Sequence, residues 1–330
     1  MKQFLQKKAK LVFLCMLVLL TCTACANPRG RDGKTLADQI IASEETTIDA
    51  SKINYKDISD KKLKKEIKKN IKDGQYTIQP TTFKNSMSKG WFEGLIVWPI
   101  AQIINLISSK TDAGVGIILT TLLIQILVFV FTRKSQMSTQ RMQEIQPEIQ
   151  KIQNKYKDKT DERSKMQMAQ EMQNIYQKYD IHPFGSMLIT FIQLPIMMGM
   201  YYATMRSVSV VSGSFMGISL AGTPLDGFKA FDIAYISIYV LMVIFYIVSM
   251  KLPQWLKKWQ DKKDNVKVKK YAQEETNPMA NSMNMSMYFM TAMICIMYIS
   301  WPMAMSFYWL VSSVIRVCQS LILHKVMNKK

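Results

Sequence analysis

The chain has little of what aqueous catalysis needs. Its 330 residues include two histidines, His182 and His324, and five cysteines. No Cys/His grouping has metal-ligand spacing, and no HExxH sequence occurs. No histidine lies deep enough in an apolar run to activate a serine. A phosphate-binding glycine loop is also missing, with only 13 glycines in the chain. Neither an enzyme nor a cofactor is therefore expected. The apolar runs carry no Asp or Glu except Asp232 at an edge. That removes the carboxylate a proton- or sodium-coupled transporter relies on. Cys15 and Cys22 fall in the N-terminal segment, while Cys295 and Cys318 lie inside apolar runs. No extracellular pair is left to form a disulfide framework.

What is abundant is apolar sequence in blocks. The composition is 48% hydrophobic, with 26 Met and a formal charge of +19. Blocks fall at Val115–Phe131, Phe184–Met205, Phe231–Met250, Met283–Ser300 and Ala304–Leu323. A helix needs roughly 20 residues to cross ~30 Å of hydrocarbon. Lipid offers no hydrogen bonds, so each crossing must be helical throughout. The expected fold is an all-α membrane protein, a five-transmembrane-helix bundle. Its spans lie at about 113–133, 184–206, 231–251, 283–300 and 304–324, and residues 109–330 form the membrane domain.

Loop charge orients the bundle. Arg133–His182 contains ten Lys or Arg, Lys251–Lys270 eight lysines, and the tail Lys325, Lys329 and Lys330. Ser207–Ala230 contains only Lys229. Positive loops stay in the cytoplasm, so the N-terminus is outside and the C-terminus inside. The basic loop 134–182 has its own periodicity. Met142, Ile145, Ile149 and Ile152 form one stripe, and Met166, Ala169, Met172, Gln173, Ile175 and Tyr176 a second, across a turn at Asp158–Asp161. This predicts a cytoplasmic helical hairpin.

The N-terminus reads as a targeting segment. Lys2, Lys7, Lys8 and Lys10 precede a short apolar Leu11–Leu20, then Thr21-Cys22-Thr23-Ala24-Cys25. Residues 1–24 are expected to be a lipoprotein signal peptide, with Cys25 the lipidated, palmitate-bearing N-terminus. Residues 25–89 are lysine-rich and are expected to be a solvated extracellular tether. A short amphipathic helix is the alternative around Lys61–Lys72, where Leu63, Ile67 and Ile71 recur every four residues. Residues 90–108 contain Trp91, Phe92 and Trp98 among aliphatics, with Glu93, Gln102 and Asn105 interspersed. They are expected to form an outer interfacial amphipathic helix.

Helical spacing shows where the polar groups inside the spans point. In the last span Ser306, Trp309, Ser313, Arg316 and Ser320 share a face. So do Thr121, Gln125 and Thr132 in the first span. The same holds for Thr190, Gln193, Met197 and Tyr201 in the second, and for Tyr235, Tyr239, Met242, Tyr246 and Ser249 in the third. Counted from Ala113 and Ala304, Gln125 and Arg316 each lie about twelve residues in, roughly 18 Å. These faces are expected to converge on a hydrated groove with one positive charge at mid-depth. Arg316 and the two glutamines have blander readings, as a snorkelling side chain and as interhelical hydrogen bonds. A methionine-rich stretch, from Met279 through Met297, fits adaptable apolar contact.

Several segments together resemble the YidC family of membrane protein insertases in its five-span lipoprotein form. They are QPEIQKIQNKY (Gln146–Tyr156), HPFG (His182–Gly185), IQLPIMMGMYYATMR (Ile192–Arg206) and WPMAMSFYWLVSS (Trp301–Ser313). The resemblance covers Gly90 to about Val326. It implies a groove open to the cytoplasm and to lipid, which receives nascent hydrophobic segments and releases them into the bilayer of a bacterial cell membrane. It implies nascent membrane proteins as partners, with the ribosome and the Sec translocon as candidates and no specific DNA. The groove residues that helical spacing points to are Arg316, Gln125, Gln193, Thr121, Trp309, Ser313, Tyr201 and Tyr239. In this family the groove arginine belongs on the first span. Here Gln125 holds that position, so the charge is expected to have moved across the groove to Arg316 at unchanged depth. A channel or small-solute transporter, or a scaffold for membrane complex assembly, are the competing functions.

Overall fold

A computed structural model describes residues 28–156, 159, 161–181, 183–263, 288–289 and 291–327. The signal peptide, Cys25, His182 and residues 264–287 lie outside the described residues, and with them most of the methionine-rich stretch. The chain is mostly helical and forms two compact units.

The first unit contains residues up to Ile117 and Leu194–Ala221. Strand β1 (Thr35–Leu36) pairs in parallel with β3 (Ile53–Asn54), and β2 (Thr46–Asp49) pairs antiparallel with β4 (Gln75–Ile78). Helix α1 (Lys61–Asn70) lies between β3 and β4. Its N-terminus is capped by the Asp60 side chain, which accepts from the Lys62 and Leu63 amides at 2.8 and 3.3 Å. Ile48, Ile53, Ile58, Ile67 and Ile78 point inward to one apolar core with Ala37, Ile40, Ala42, Val208 and Val211. This corrects the expectation of a solvated tether over 25–89. Ile48, Ile53, Ile67 and Ile78 come one each from β2, β3, α1 and β4, and Ile58 from the loop between β3 and α1; each buried isoleucine stabilises the module by roughly 1.5–3 kcal/mol.

Helix α2 (Phe83–Lys89) follows, capped by Thr82, which accepts from the Asn85 amide. A π-helical turn (Glu93–Val97) then leads into α3 (Trp98–Ser108). The polar residues that interrupt this apolar stretch hold backbone. Trp98 Nε1 donates to the Thr81 carbonyl at 2.8 Å, and Gln102 donates to the Ala42 and Thr81 carbonyls at 3.2 Å each. Asn105 donates to the Ile41 carbonyl at 2.8 Å and accepts from Ser207 Oγ at 2.6 Å.

The second unit contains Ile118–Gln193 and the residues from Gly222 onward. Three helices among the described residues are long and apolar enough to cross a membrane: Ala113–Met142, Ile233–Gln260 and Met303–Val326. They belong to α4 (Ala113–Glu144), α10 (Ile233–Lys263) and α11 (Met303–Met327). At ~1.5 Å per residue, α4 and α10 are about 48 and 46 Å long, well beyond the hydrocarbon thickness. The helix of the first span therefore runs on through Arg133–Glu144, where a separate hairpin was expected to begin. Nothing in Ser135–Glu144 breaks a helix; the break falls at Ile145, just before Pro147.

Beyond it, α5 (Gln146–Lys155) and α6 (Glu162–Lys178) pack together. Ile145, Ile149 and Ile181 are buried among Met142, Met172, Ile175, Tyr176 and Tyr179. Lys155 pairs with Glu171 at 2.5 Å, and Tyr156 Oη donates to the same carboxylate at 2.9 Å. Asp161 caps α6. Helix α7 (Pro183–Arg206) is continuous despite Pro195. Residues 291–298 are helical as well. Further short elements are the 3-10 turns Ala37–Gln39 and Ala50–Lys52, helices α8 (Val208–Ser212) and α9 (Pro224–Ala230), and a β5–β6 hairpin (Ser214–Phe215, Ile218–Ser219).

Candidate functional site

Helix α4 is inverted relative to a helix of a water-soluble protein. Leu123, Ile126, Leu127, Val130 and Phe131 are exposed, whereas Thr120, Thr121, Gln125 and Thr132 are buried. An exposed apolar band of this size is unusual on a soluble monomer. In hydrocarbon it costs nothing, and the polar face must then find partners within the protein.

Thr132 Oγ1 donates to the Val128 carbonyl of its own helix at 2.7 Å, and Gln125 finds its partner on α11. Gln125 Nε2 donates to Ser312 Oγ at 3.1 Å, and both residues are buried. Gln193 Nε2 donates to Tyr308 Oη at 3.1 Å. Trp309 is stacked on Tyr298 with ring centroids 4.9 Å apart and meets Tyr246 of α10 edge-on at 6.5 Å. Four apolar segments of the second unit thus reach α11 within two helical turns, Tyr308 to Arg316. Ser312 and Tyr308 were missed in the sequence. Both lie one residue beside the stripe formed by Trp309, Ser313 and Arg316, on a helix face with polar groups broader than one line.

Arg316 turns back along its own helix. Its Nε approaches the Ser312 carbonyl at 3.4 Å, and its guanidinium carbon is 5.6 Å from the Trp309 ring centroid. That is within cation–π range. The Nη2 atom is buried and has no hydrogen-bond partner. A snorkelling arginine would extend toward the near end of its helix, here the C-terminal one. This one points the other way, toward the level of Ser312 and Gln125. The depth expectation needs a small correction, because Gln125 is level with Ser312, one turn before Arg316.

The other expected residues divide. Thr121 and Ser313 are fully buried, and Ser313 Oγ has no partner. Trp309 Nε1 is likewise buried and unpartnered. These orphan polar atoms lie on the same helix as Arg316, within two turns of it, and buried polar atoms without a partner are uncommon in folded proteins. Tyr239 is committed elsewhere, donating to the Cys295 carbonyl at 2.7 Å. Tyr201 belongs to the first unit, where its ring meets Tyr202 edge-on at 5.5 Å. No group of three or more His, Cys, Asp or Glu that could hold a metal occurs among the described residues.

The first unit contains a buried ion pair that sequence reading missed. Arg206 closes α7 and pairs with Glu93; their side chains are 7% and 12% exposed. Arg206 also donates from Nε to the Gln39 carbonyl at 2.8 Å and from Nη2 to Gln39 Oε1 at 2.7 Å. Thr35 Oγ1 donates to the Met205 carbonyl at 2.8 Å, and Ile41 bridges Ser207 in parallel. The end of α7 is thereby tied to segment 35–42. The only cue in the sequence was a lone glutamate in an apolar helix.

The family model described as "60Kd inner membrane protein" matches residues 105–330. A Streptococcus pyogenes serotype M6 protein named membrane protein insertase YidC 1 is 30% identical over 237 residues, 72% of this chain and 75% of that one. The chain belongs to the YidC family. Membrane protein insertase YidC of Enterococcus faecalis is also 30% identical, over 72% of this chain and 76% of its own. MisCA of Bacillus subtilis, likewise named a membrane protein insertase, is 27% identical over 72% of this chain and 80% of its own. The family match begins within α3, so the β-strand module of residues 28–89 lies outside it.

Proposed function

We propose that this chain is a membrane protein insertase and chaperone. It takes up nascent hydrophobic segments from the cytoplasm at a hydrated face of α11 and releases them into lipid. The observation that carries the reading is the convergence of Gln125, Gln193, Tyr246 and Tyr298 on α11 beside Arg316, whose Nη2 is buried and unpartnered. Polar side chains inside a membrane bundle are expensive and are retained where they act. A hydrated recess lowers the barrier to moving a client's polar tail through hydrocarbon. Burial of the client's apolar residues, about 25 cal/mol per Å², then drives release without nucleotide.

In this reading five spans cross the membrane, α7 and residues 283–300 being the second and fourth. The pair α5–α6 lies in the cytoplasm and meets the emerging client, and the basic loops face the ribosome, with the Sec translocon as a candidate partner. The N-terminus is lipid-anchored outside through Cys25, and residues 90–108 lie at the outer interface. Arg316 supplies, from the last span, the charge that attracts acidic residues in a client's exported tail.

The test is reconstitution of the full chain into liposomes, followed by synthesis of a small single-span client. Insertion above that of protein-free liposomes is expected. Solute flux in the absence of nascent chains, without insertion, would make it a channel instead.

A further inference from the structure

Helix α1 breaks local rules in one direction. Its sequence, KKLKKEIKKN, has six lysines and one glutamate. Lys61 and Lys62 sit in the first turn, where the helix dipole disfavours cations. Lys61, Lys65 and Lys69 repeat at four-residue spacing, as do Lys64 and Lys68, and like charges so placed repel. Among the described residues no salt bridge relieves them. Such local conflict is expected where a surface is used.

The geometry sharpens this. At ~100° per residue, Lys61, Lys62, Lys65, Lys68 and Lys69 fall within an arc of about 120° and along roughly 12 Å of helix. All five are exposed. Lys64 is drawn aside to the Lys56 carbonyl. Leu63 and Ile67 occupy the opposite arc, and Ile67 shares its core with Val208 and Val211. Those valines follow directly on the end of α7 at Arg206. The lysine face therefore points away from the segment that leaves the membrane helix, toward water. Five lysines spread over one face suit an extended, flexible anion rather than a compact one, since each is a hydrated point charge without the fork that fixes a phosphate.

We propose that this lysine face is a receiving surface for acidic exported segments of the proteins that the chain inserts. The proposal rests on the insertase reading, which delivers hydrophilic tails to the side where residues 28–89 reside. Charge complementarity selects acidic tails, and the attraction weakens with salt over a Debye length of ~10 Å at 0.1 M.

The test uses the full chain in liposomes of zwitterionic lipid and two clients that differ only in having a Glu/Asp-rich or a neutral exported tail. The variant is K61Q/K62Q/K65Q/K68Q/K69Q, with the corresponding five-arginine variant as a control that keeps charge and helix. The neutralised variant is expected to lose acidic-tail insertion several-fold, with neutral-tail insertion unchanged and the arginine variant near wild type. A photo-crosslinker at position 65 should capture the acidic tail and not the neutral one. Equal acidic-tail insertion by wild type and the neutralised variant, or equal capture of both tails, overturns the proposal. A soluble Glu/Asp-rich peptide added to the outer side reads the surface itself. Salt-sensitive binding that the neutralised variant loses supports the assignment even if neither client inserts, a result that counts against the insertase reading alone. Binding of poly(glycerol phosphate) but not of the peptide assigns the surface to an envelope polymer and overturns it.

Discussion

Replacing Glu93 with glutamine should destabilise the first unit far more than its small change in volume implies. The Glu93–Arg206 pair is almost withdrawn from solvent. Amide for carboxylate preserves shape but leaves the Arg206 guanidinium buried without a counter-charge, a situation that typically costs about 3–5 kcal/mol. Arg206→Met strands the carboxylate instead and also forfeits two bonds to Gln39. Its cost should be at least as large. The pair is imperfectly satisfied, because Glu93 Oε1 is buried with no hydrogen-bond partner. Desolvation of both charges therefore offsets much of their attraction. The double variant Glu93→Leu/Arg206→Met should be cheaper than either single change, with a net effect near the ~1–3 kcal/mol expected for the lost Gln39 bonds. Hydrogen exchange of residues 35–54 in the full chain, together with denaturant titration, measures all three. Additive single effects, or a Glu93→Gln cost below ~1 kcal/mol, would refute a buried, coupled pair.

Other outcomes follow from the module's core and its turns. Ile67→Ala should cost about 2–4 kcal/mol by leaving a cavity at a residue 2% exposed, read as raised protease sensitivity of residues 28–89. By contrast, Lys68→Ala on the outer face should change it little. The Asp57 carboxyl is held below its usual range, first by the Arg31 amide and then by the Asn54 side chain, and Asp49 likewise by Ser51. A lowered folded-state value means stability present above the unfolded carboxylate value, about 3.9, and lost as pH falls through the folded value. The module should therefore loosen below about pH 4, and Asp57→Asn should blunt that acid sensitivity in hydrogen exchange.

The polar face of the bundle was legible because period and composition coincide. Gln125, Thr121 and Ser313 are buried in the structure for the reason their spacing gives: an apolar helix with few polar residues keeps them on one side. Tyr239 shares that spacing but is consumed by the Cys295 carbonyl, a partner that no pattern within one helix reveals. The module of residues 28–89 was hidden by its charge. Its strands are two to four residues long and pair across 18 positions, as in Thr35 with Ile53, to 32, as in Thr46 with Ile78, so no local alternation marks them. Glu93 and Asn105 read as interfacial decoration because their partners, Arg206, Ile41 and Ser207, are more than sixty residues away.

The central claim is that Arg316 provides the working charge of the insertion face. The most direct measurement compares Arg316→Ala, Arg316→Lys and Gln125→Arg/Arg316→Met in liposome insertion of an acidic-tailed client. The account predicts a strong loss with alanine, partial retention with lysine, and recovery when the charge returns to position 125. Normal insertion by the alanine variant would contradict it.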